Sequence, residues 1–124
     1  MTARRHILLT LLALCAFATA AQAQLVFTPD TWDFGTIRET DGRVSHTFTG
    51  VNRGDSPLVI LGVVTTCGCT VPDFSKKPIL PGEKTQITVT YDPANRPGSF
   101  TKELWVYSSE KRKIATLTVQ GSVI

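Results

Sequence analysis

The stretch that decides the fold spans residues 52–72 and reads Asn-Arg-Gly-Asp-Ser-Pro-Leu-Val-Ile-Leu-Gly-Val-Val-Thr-Thr-Cys-Gly-Cys-Thr-Val-Pro. Its first part, residues 53–57, consists of residue types that favour a chain reversal. Residues 58–64 then form an apolar run that is rich in β-branched side chains and too short for a typical globular helix. The run is followed closely by Cys67 and Cys69. This order predicts a strand that begins after a turn and ends at a pair of cysteines.

Short strands separated by turns also describe the sequence on both sides of this stretch. Residues 85–91 alternate apolar and polar side chains, and residues 100–108 place Leu104 and Val106 on one face. Gly35 marks a bend or bulge in an early strand. Residues 72–81 carry three prolines and are predicted to form a loop. About seven strands and no crossover helices predict an all-β, immunoglobulin-like β-sandwich rather than a parallel α/β fold.

The N-terminus has the pattern of an export signal. Arg4 and Arg5 precede an apolar run over residues 7–17, and small residues stand at the two positions that a signal peptidase reads before Gln24. The run is shorter than the roughly 20 residues of a permanent membrane span. We therefore predict a signal peptide over residues 1–23, cleavage between Ala23 and Gln24, and one domain over residues 24–124. The predicted location is periplasmic or extracellular.

Charge and size narrow the class of protein further. Loss of Arg4 and Arg5 with the signal peptide lowers the basic residues from 13 to 11, against 10 acidic ones, which is a net charge of +1. Outside the basic turn at residues 111–113 the charges are interspersed, so nucleic-acid binding is not expected. No integral span is expected after cleavage. The oligomeric state and the identity of any protein partner do not follow from these residues.

Cys67 and Cys69 are the candidate chemical site. Side chains two residues apart in a strand share a face, with Cα atoms roughly 6.6 Å apart. A relaxed disulfide prefers about 5.5–6 Å, so a bond requires Gly68 to let the backbone pucker. The ring would be small and easily reduced, which suits redox work. Three interpretations stay open at this point: simple packing as thiols or a disulfide, thiol redox chemistry, and a soft-metal site for Cu(I) or Zn(II).

Three other side chains are candidates for a site. His46, the only histidine after residue 23, lies on the apolar side of its strand. The sequence favours a core histidine with a backbone partner, and the alternative is a third metal ligand beside Cys67 and Cys69 or a general base. Trp105 and Tyr107 point away from the Leu104 face, so they form either an exposed partner-binding pair or a pair covered by residues 72–81.

Hydrolytic catalysis finds no support in the sequence. With one histidine and no Gly-x-Ser-x-Gly elbow, a nucleophile, a base and an orienting group are hard to assemble. No His-Glu-x-x-His motif and no phosphate-binding glycine loop is present. The sequence therefore predicts a non-enzyme without a cofactor, apart from the thiol and metal chemistry left open above.

Several motifs together resemble a bacterial family known as domain of unknown function 1573. The motifs are Asn52-x-Gly54-Asp55-x-Pro57-Leu58-x-Ile60, Cys67-Gly68-Cys69-Thr70-x-Pro72, Pro78-Ile79-x-Pro81-Gly82, Tyr91-Asp92 and Gly98-x-Phe100-x-Lys102. The resemblance runs from about residue 27 to residue 123. It implies an immunoglobulin-like domain related to the major-sperm-protein and PapD types, and a periplasmic or surface location. It implies no particular biochemical role.

These observations lead to one expected function and one alternative. The expected function is a non-catalytic module that binds a protein partner or takes part in envelope assembly, through its sheet edges or through Trp105 and Tyr107. The alternative is thiol redox chemistry or soft-metal binding at Cys67 and Cys69.

Overall fold

The computed structural model describes residues 24–109 and 112–124. The predicted signal peptide, which includes Ala23 at its cleavage bond, lies outside the described residues. Eight strands form two four-stranded sheets. The strands are β1 (Leu25–Phe27), β2 (Thr31–Ile37), β3 (Val44–Asn52), β4 (Ile60–Val64), β5 (Thr70–Phe74), β6 (Lys84–Tyr91), β7 (Gly98–Ser108) and β8 (Lys113–Val123).

The two sheets have the strand orders β1-β3-β6-β5 (the first sheet) and β2-β8-β7-β4 (the second sheet). All neighbouring strands are antiparallel except β2 and β8, which are parallel. The chain passes from the first sheet to the second between β1 and β2, at a cis Thr28–Pro29 peptide. One of the later crossings between the sheets joins β4 to β5, and the cysteines lie on this connection. The predicted immunoglobulin-like sandwich is confirmed.

The core lies between the sheets because each long strand presents apolar side chains on one face only. On β6 every second residue from Thr85 to Tyr91 is buried, and on β7 Leu104 and Val106 are fully buried. The predicted alternation is confirmed in both strands. The largest cluster is built from side chains of both sheets: Leu25, Phe27, Phe48, Leu58, Ile60, Val63, Ile79, Ile87, Val89, Leu104, Val106, Leu117 and Val119.

One prediction about local structure is wrong. Residues 72–81 were expected to form a loop throughout, yet Thr70–Phe74 is strand β5, paired with β6 at the edge of the first sheet. Asp92 donates its backbone N–H to the carbonyl of Cys69 at 2.8 Å. Since bonded pairs alternate along an antiparallel ladder, the nitrogen of Pro72 faces away from β6. Proline is tolerated there because no ladder hydrogen bond is lost, and the sandwich therefore has eight strands rather than about seven.

Strand β2 contains the predicted bulge. The pairing of β2 with β8 shifts register between Asp33 and Thr36, and Gly35 adopts a φ of +71°. A residue with a Cβ atom is strained at that φ, which explains the glycine. The bulge lets Phe34 and Ile37 both pack inward.

Candidate functional site

Cys67 and Cys69 form a disulfide in the structure, with an S–S distance of 1.99 Å. Their Cα atoms are 5.2 Å apart, closer than two residues of an extended strand allow. The chain makes this approach in a turn just before β5, where Thr70 donates its N–H to the carbonyl of Cys67 at 3.2 Å. The pair therefore belongs to a turn between the two sheets and not to a regular strand.

Gly68 does not act as the sequence suggested. It is absent from the glycines with positive φ, and a Cβ atom built on it meets nothing within 4 Å. The turn therefore brings the two cysteines together without a conformation reserved for glycine. Gly68 is exposed, and the space beside its Cα atom is open.

The disulfide lies at one end of the sandwich against a small apolar cluster. Cys69 is 4% exposed and packs with Tyr91, Phe100 and Val123. The rings of Tyr91 and Phe100 are stacked, with centroids 3.9 Å apart. Burial raises the pKa of the Tyr91 phenol, and it is the largest of the causes that shift this pKa. Cys67 is only partly buried at the margin of the same cluster.

Two polar groups lie next to the sulfur atoms. The backbone N–H of Cys69 donates to Sγ of Cys67 at 3.3 Å. The hydroxyl of Thr70 lies 3.5 Å from Sγ of Cys69. A disulfide sulfur has no hydrogen, so the hydroxyl is the donor in this contact. Each sulfur therefore has one hydrogen-bond donor beside it.

His46 lies apart from the cysteines in a stack of aromatic rings. Its imidazole is parallel to the indole of Trp32, with centroids 4.0 Å apart, and edge-on to Phe48 at 4.7 Å. The sequence favoured a backbone partner, whereas aromatic rings hold this side chain. Burial lowers the pKa of His46. Within residues 24–109 and 112–124, no three His, Cys, Asp or Glu side chains gather as metal ligands would, so the structure does not join His46 to Cys67 and Cys69.

Trp105 and Tyr107 lie on the outer face of the second sheet and are half-buried. Trp105 pairs with Val64 on strand β4, and Tyr107 pairs with Gly62. Val64 is 49% exposed and Leu61, on the same edge strand, is 48% exposed. We call these four side chains (Leu61, Val64, Trp105 and Tyr107) the β4 face.

Residues 75–81 do not cover the β4 face, contrary to one expectation. Four of them line a surface groove of about 780 Å³ together with Thr49, Gln86 and Thr88 of the first sheet: Ser75, Lys77, Pro78 and Ile79. The loop is held there by Leu58 and Ile79, whose backbones exchange two hydrogen bonds. The groove and the β4 face therefore belong to different sheets.

Sequence reasoning missed the exposure of Leu61 and Val64. Both belong to the apolar run that was predicted to form a strand, and no exposed face of this strand was predicted. The only signal was Gly62, which lies where the pairing of β4 with β7 shifts register. Because of this shift, Val63 points into the core while Leu61 and Val64 remain exposed.

The fold and the site together define an immunoglobulin-like domain with a disulfide at one end of the sandwich. The family model described as "Protein of unknown function (DUF1573)" matches residues 25–123, and the chain belongs to this family. The resemblance found in the sequence is thereby confirmed. No curated protein matches the sequence significantly.

Solved structures share the fold at low sequence identity. A Porphyromonas gingivalis W83 protein of unknown function is similar with a TM-score of 0.66 and 18% identity, over 86% of this chain and 50% of that one. The Vibrio cholerae VesB protease is similar with a TM-score of 0.62 and 21% identity, over 80% and 32%. WR4, a C. elegans major-sperm-protein family member, is similar with a TM-score of 0.54 and 12% identity, over 83% and 100%.

These likenesses concern the fold alone. The chain spans half or less of the length of the P. gingivalis and V. cholerae proteins. Across the described part of the chain, no helix has the length and hydropathy needed to cross a bilayer.

Proposed function

We propose that this domain is a non-catalytic module that binds a protein partner through the β4 face. The observation that carries the proposal is the exposure of Leu61 and Val64 beside the half-buried rings of Trp105 and Tyr107. Aromatic side chains are enriched at the centre of protein interfaces, and contiguous exposed apolar side chains mark interaction sites. The single histidine of the domain, enclosed by aromatic rings, supports the non-catalytic part of the proposal.

The location of the β4 face supports binding rather than burial within the domain. Strand β4 is an edge of the second sheet, so among the described residues no further strand pairs with its free backbone edge beside the β4 face. Lys113 pairs with Tyr107 and adds a positive charge at the margin of the β4 face. An apolar centre with a charged margin is the usual arrangement of a non-obligate interface.

The experiment places a photo-crosslinking amino acid at Val64 of the full-length protein expressed in living cells. Val71, which is 55% exposed on the other sheet, is the matched control position. We expect a discrete protein adduct from position 64 and a much weaker one from position 71. Trp105→Ala should reduce the adduct at position 64. Equal labelling at both positions, or no adduct at position 64, would contradict the proposal.

We propose thiol–disulfide exchange at Cys67 and Cys69 as a second candidate function. The supporting observation is a disulfide in a turn between the sheets, with Cys67 partly accessible and the outer side of Gly68 open. A ring closed over three residues constrains the unfolded chain little, so structural stability is a weak reason for this bond. Export to an oxidising compartment, predicted from the N-terminus, suits such chemistry.

Intact mass measurement tests the second candidate. Purified protein is equilibrated with defined ratios of reduced and oxidised glutathione and then alkylated. We expect two alkyl groups per chain to appear over a measurable range of ratios. A disulfide that stays closed throughout, or thiols that do not re-oxidise, would exclude reversible redox work. The same spectrum checks the predicted cleavage after Ala23.

A further inference from the structure

The two sulfur atoms of the disulfide differ in access. Cys69 is 4% exposed and is enclosed by Tyr91, Phe100 and Val123, whereas Cys67 lies at the margin of this cluster. Gly68 and Thr66, on either side of Cys67, are both exposed. Exchange requires a thiolate to approach one sulfur from outside, so access decides which sulfur is attacked. The structure leaves that approach open at Cys67 and closed at Cys69.

The polar groups around the sulfurs also distinguish the two atoms. A sulfur that leaves as a thiolate is stabilised by a nearby hydrogen-bond donor. When the disulfide opens by attack at Cys67, the sulfur that leaves is that of Cys69, 3.5 Å from the buried hydroxyl of Thr70. When Cys67 is later released, the N–H of Cys69 lies 3.3 Å from it.

We propose that Cys67 is the sulfur that exchanges with cysteines of partner proteins, and that Cys69 is the buried sulfur that leaves when the disulfide opens and that returns to Cys67 by displacing the partner thiolate from the mixed disulfide. This assignment rests on the second candidate function above. It makes Cys67 the catalytic residue of the exchange. Thr70 is a positioning residue that acts through Cys69.

Atoms, electrons and protons all balance in the proposed exchange. A thiolate of a partner dithiol attacks Sγ of Cys67, the bond to Cys69 breaks, and Cys69 leaves as a thiolate. The second partner thiolate then attacks the partner's sulfur in the mixed disulfide and releases Cys67. Two electrons pass from the partner to this domain, the partner gains one disulfide, and the two cysteines take up the two protons that the partner thiols gave up.

The surroundings of Cys67 indicate the class of substrate. Cys67 stands between two exposed residues, Thr66 and Gly68, on the connection between the two sheets. Its partly buried side chain lies at the margin of the apolar cluster and is reached from the surface. The end of a sandwich is reached more readily by a cysteine on an exposed or unfolded segment of another protein.

The first test compares Cys69→Ser, which leaves Cys67 free, with Cys67→Ser, which leaves Cys69 free. The probe is an unstructured synthetic peptide whose single cysteine is activated with 2-thiopyridine. We expect Cys69→Ser to capture the peptide at least about tenfold faster, because Cys69 reacts only after local opening of the cluster. Thermal unfolding of each variant checks that both are folded. Equal rates, or a faster reaction of Cys67→Ser, would overturn the assignment.

A second measurement uses the unmodified protein and does not depend on the folding of variants. The oxidised domain is mixed with a reduced peptide that carries two cysteines, quenched with acid and fragmented in a mass spectrometer. We expect the mixed disulfide on Cys67. If the peptide is found on Cys69, the assignment fails while the redox function stands. If neither the peptide nor glutathione opens the disulfide, the redox function itself fails.

Thr70 and glutathione provide two further readouts. Thr70→Val, which removes the hydroxyl but keeps the shape, should slow opening by about threefold, and Thr70→Ser should restore the rate. An unchanged rate in Thr70→Val would remove Thr70 from the proposal.

In the unmodified protein, the rate at which the disulfide opens should rise linearly with glutathione concentration. Saturation of this rate would reveal a small-thiol site and overturn the proposed substrate class.

Discussion

The buried amide of Asn52 joins three separate parts of the chain. Its Nδ2 donates to the carbonyls of Ser56 at 3.0 Å and Ile79 at 2.7 Å, and its Oδ1 accepts from the N–H of Gly54 at 3.0 Å. One side chain thus holds the turn after β3 and the loop that precedes β6. Because Asn52 is fully buried, water cannot replace these bonds.

We predict that Asn52→Ala lowers the free energy of unfolding by about 2–3 kcal/mol, since it removes three hydrogen bonds from a buried site. Gln24→Ala is the matched control, because Gln24 donates to the same carbonyl of Ser56 from an exposed position. It should cost less than about 0.5 kcal/mol. Urea unfolding measures both values. Similar losses in the two variants would show that burial of Asn52 is not the cause.

His46 makes the stability of the domain depend on pH. Burial lowers its pKa from 6.5, so the folded domain binds fewer protons than the unfolded chain between the two pKa values. The free energy of unfolding should therefore rise with pH up to about 6.5 and level off above it. His46→Phe, which keeps an aromatic ring beside Trp32, should lose this contribution.

The measurement is urea unfolding of both proteins between about pH 5.5 and 7.5, a range in which ordinary carboxyl groups stay ionised. The difference between the two curves isolates His46. A difference that does not vary with pH would contradict the prediction. A difference of opposite slope would show that attraction of the imidazolium to the Trp32 ring outweighs desolvation.

Strand β5 shows how an edge of this sandwich is protected. On its free side the N–H of Thr70 is bonded to Cys67, and Pro72 has no N–H to offer. An added strand would therefore meet few donors. The opposite sheet ends in β4, which carries no proline between residues 60 and 64. The two neighbouring edges thus differ in their capacity to accept another strand.

We predict that Pro72→Val promotes self-association, because it restores a backbone N–H on the free side of β5. Sedimentation velocity at increasing protein concentration measures the effect. Pro97→Val is the control, since Pro97 lies in the loop between β6 and β7 and on no sheet edge. If both variants sediment like the parent protein at every concentration, Pro72 does not protect this edge.

At the scale of the whole molecule, the core and not the disulfide holds the fold together. By the chain-entropy relation, closing a loop of three residues contributes only about 1.6 kcal/mol. Deleting most of a fully buried leucine side chain, such as Leu104, costs about 2–5 kcal/mol. The disulfide is therefore the smaller contribution, and its place at one end of the sandwich leaves the central packing intact.

We predict that the domain stays folded when Cys67 and Cys69 are reduced, with a loss of about 1.6 kcal/mol in the free energy of unfolding. Leu104→Ala in the oxidised protein should lose more. Circular dichroism during urea unfolding, with and without reductant, compares the two. Unfolding of the domain on reduction alone would assign the disulfide a structural role and weaken the case for exchange.

The sequence by itself determined the class of fold and most of the strands. Side chains alternate with a period of two along β6 and β7, and this pattern fixes which face is buried whatever the rest of the chain does. The cysteine pair, the bulge at Gly35 and the family resemblance were equally local, since each depends on a few neighbouring residues.

Only the tertiary structure decided which surfaces remain open. Strand β5 was hidden in the sequence because Pro72 is acceptable solely at an edge position, and edge positions are set by distant strands. The exposure of Leu61 and Val64, the aromatic stack on His46 and the unequal burial of Cys67 and Cys69 likewise depend on contacts between residues far apart in the chain. Local patterns record which residues turn inward, whereas packing between the sheets decides what covers them.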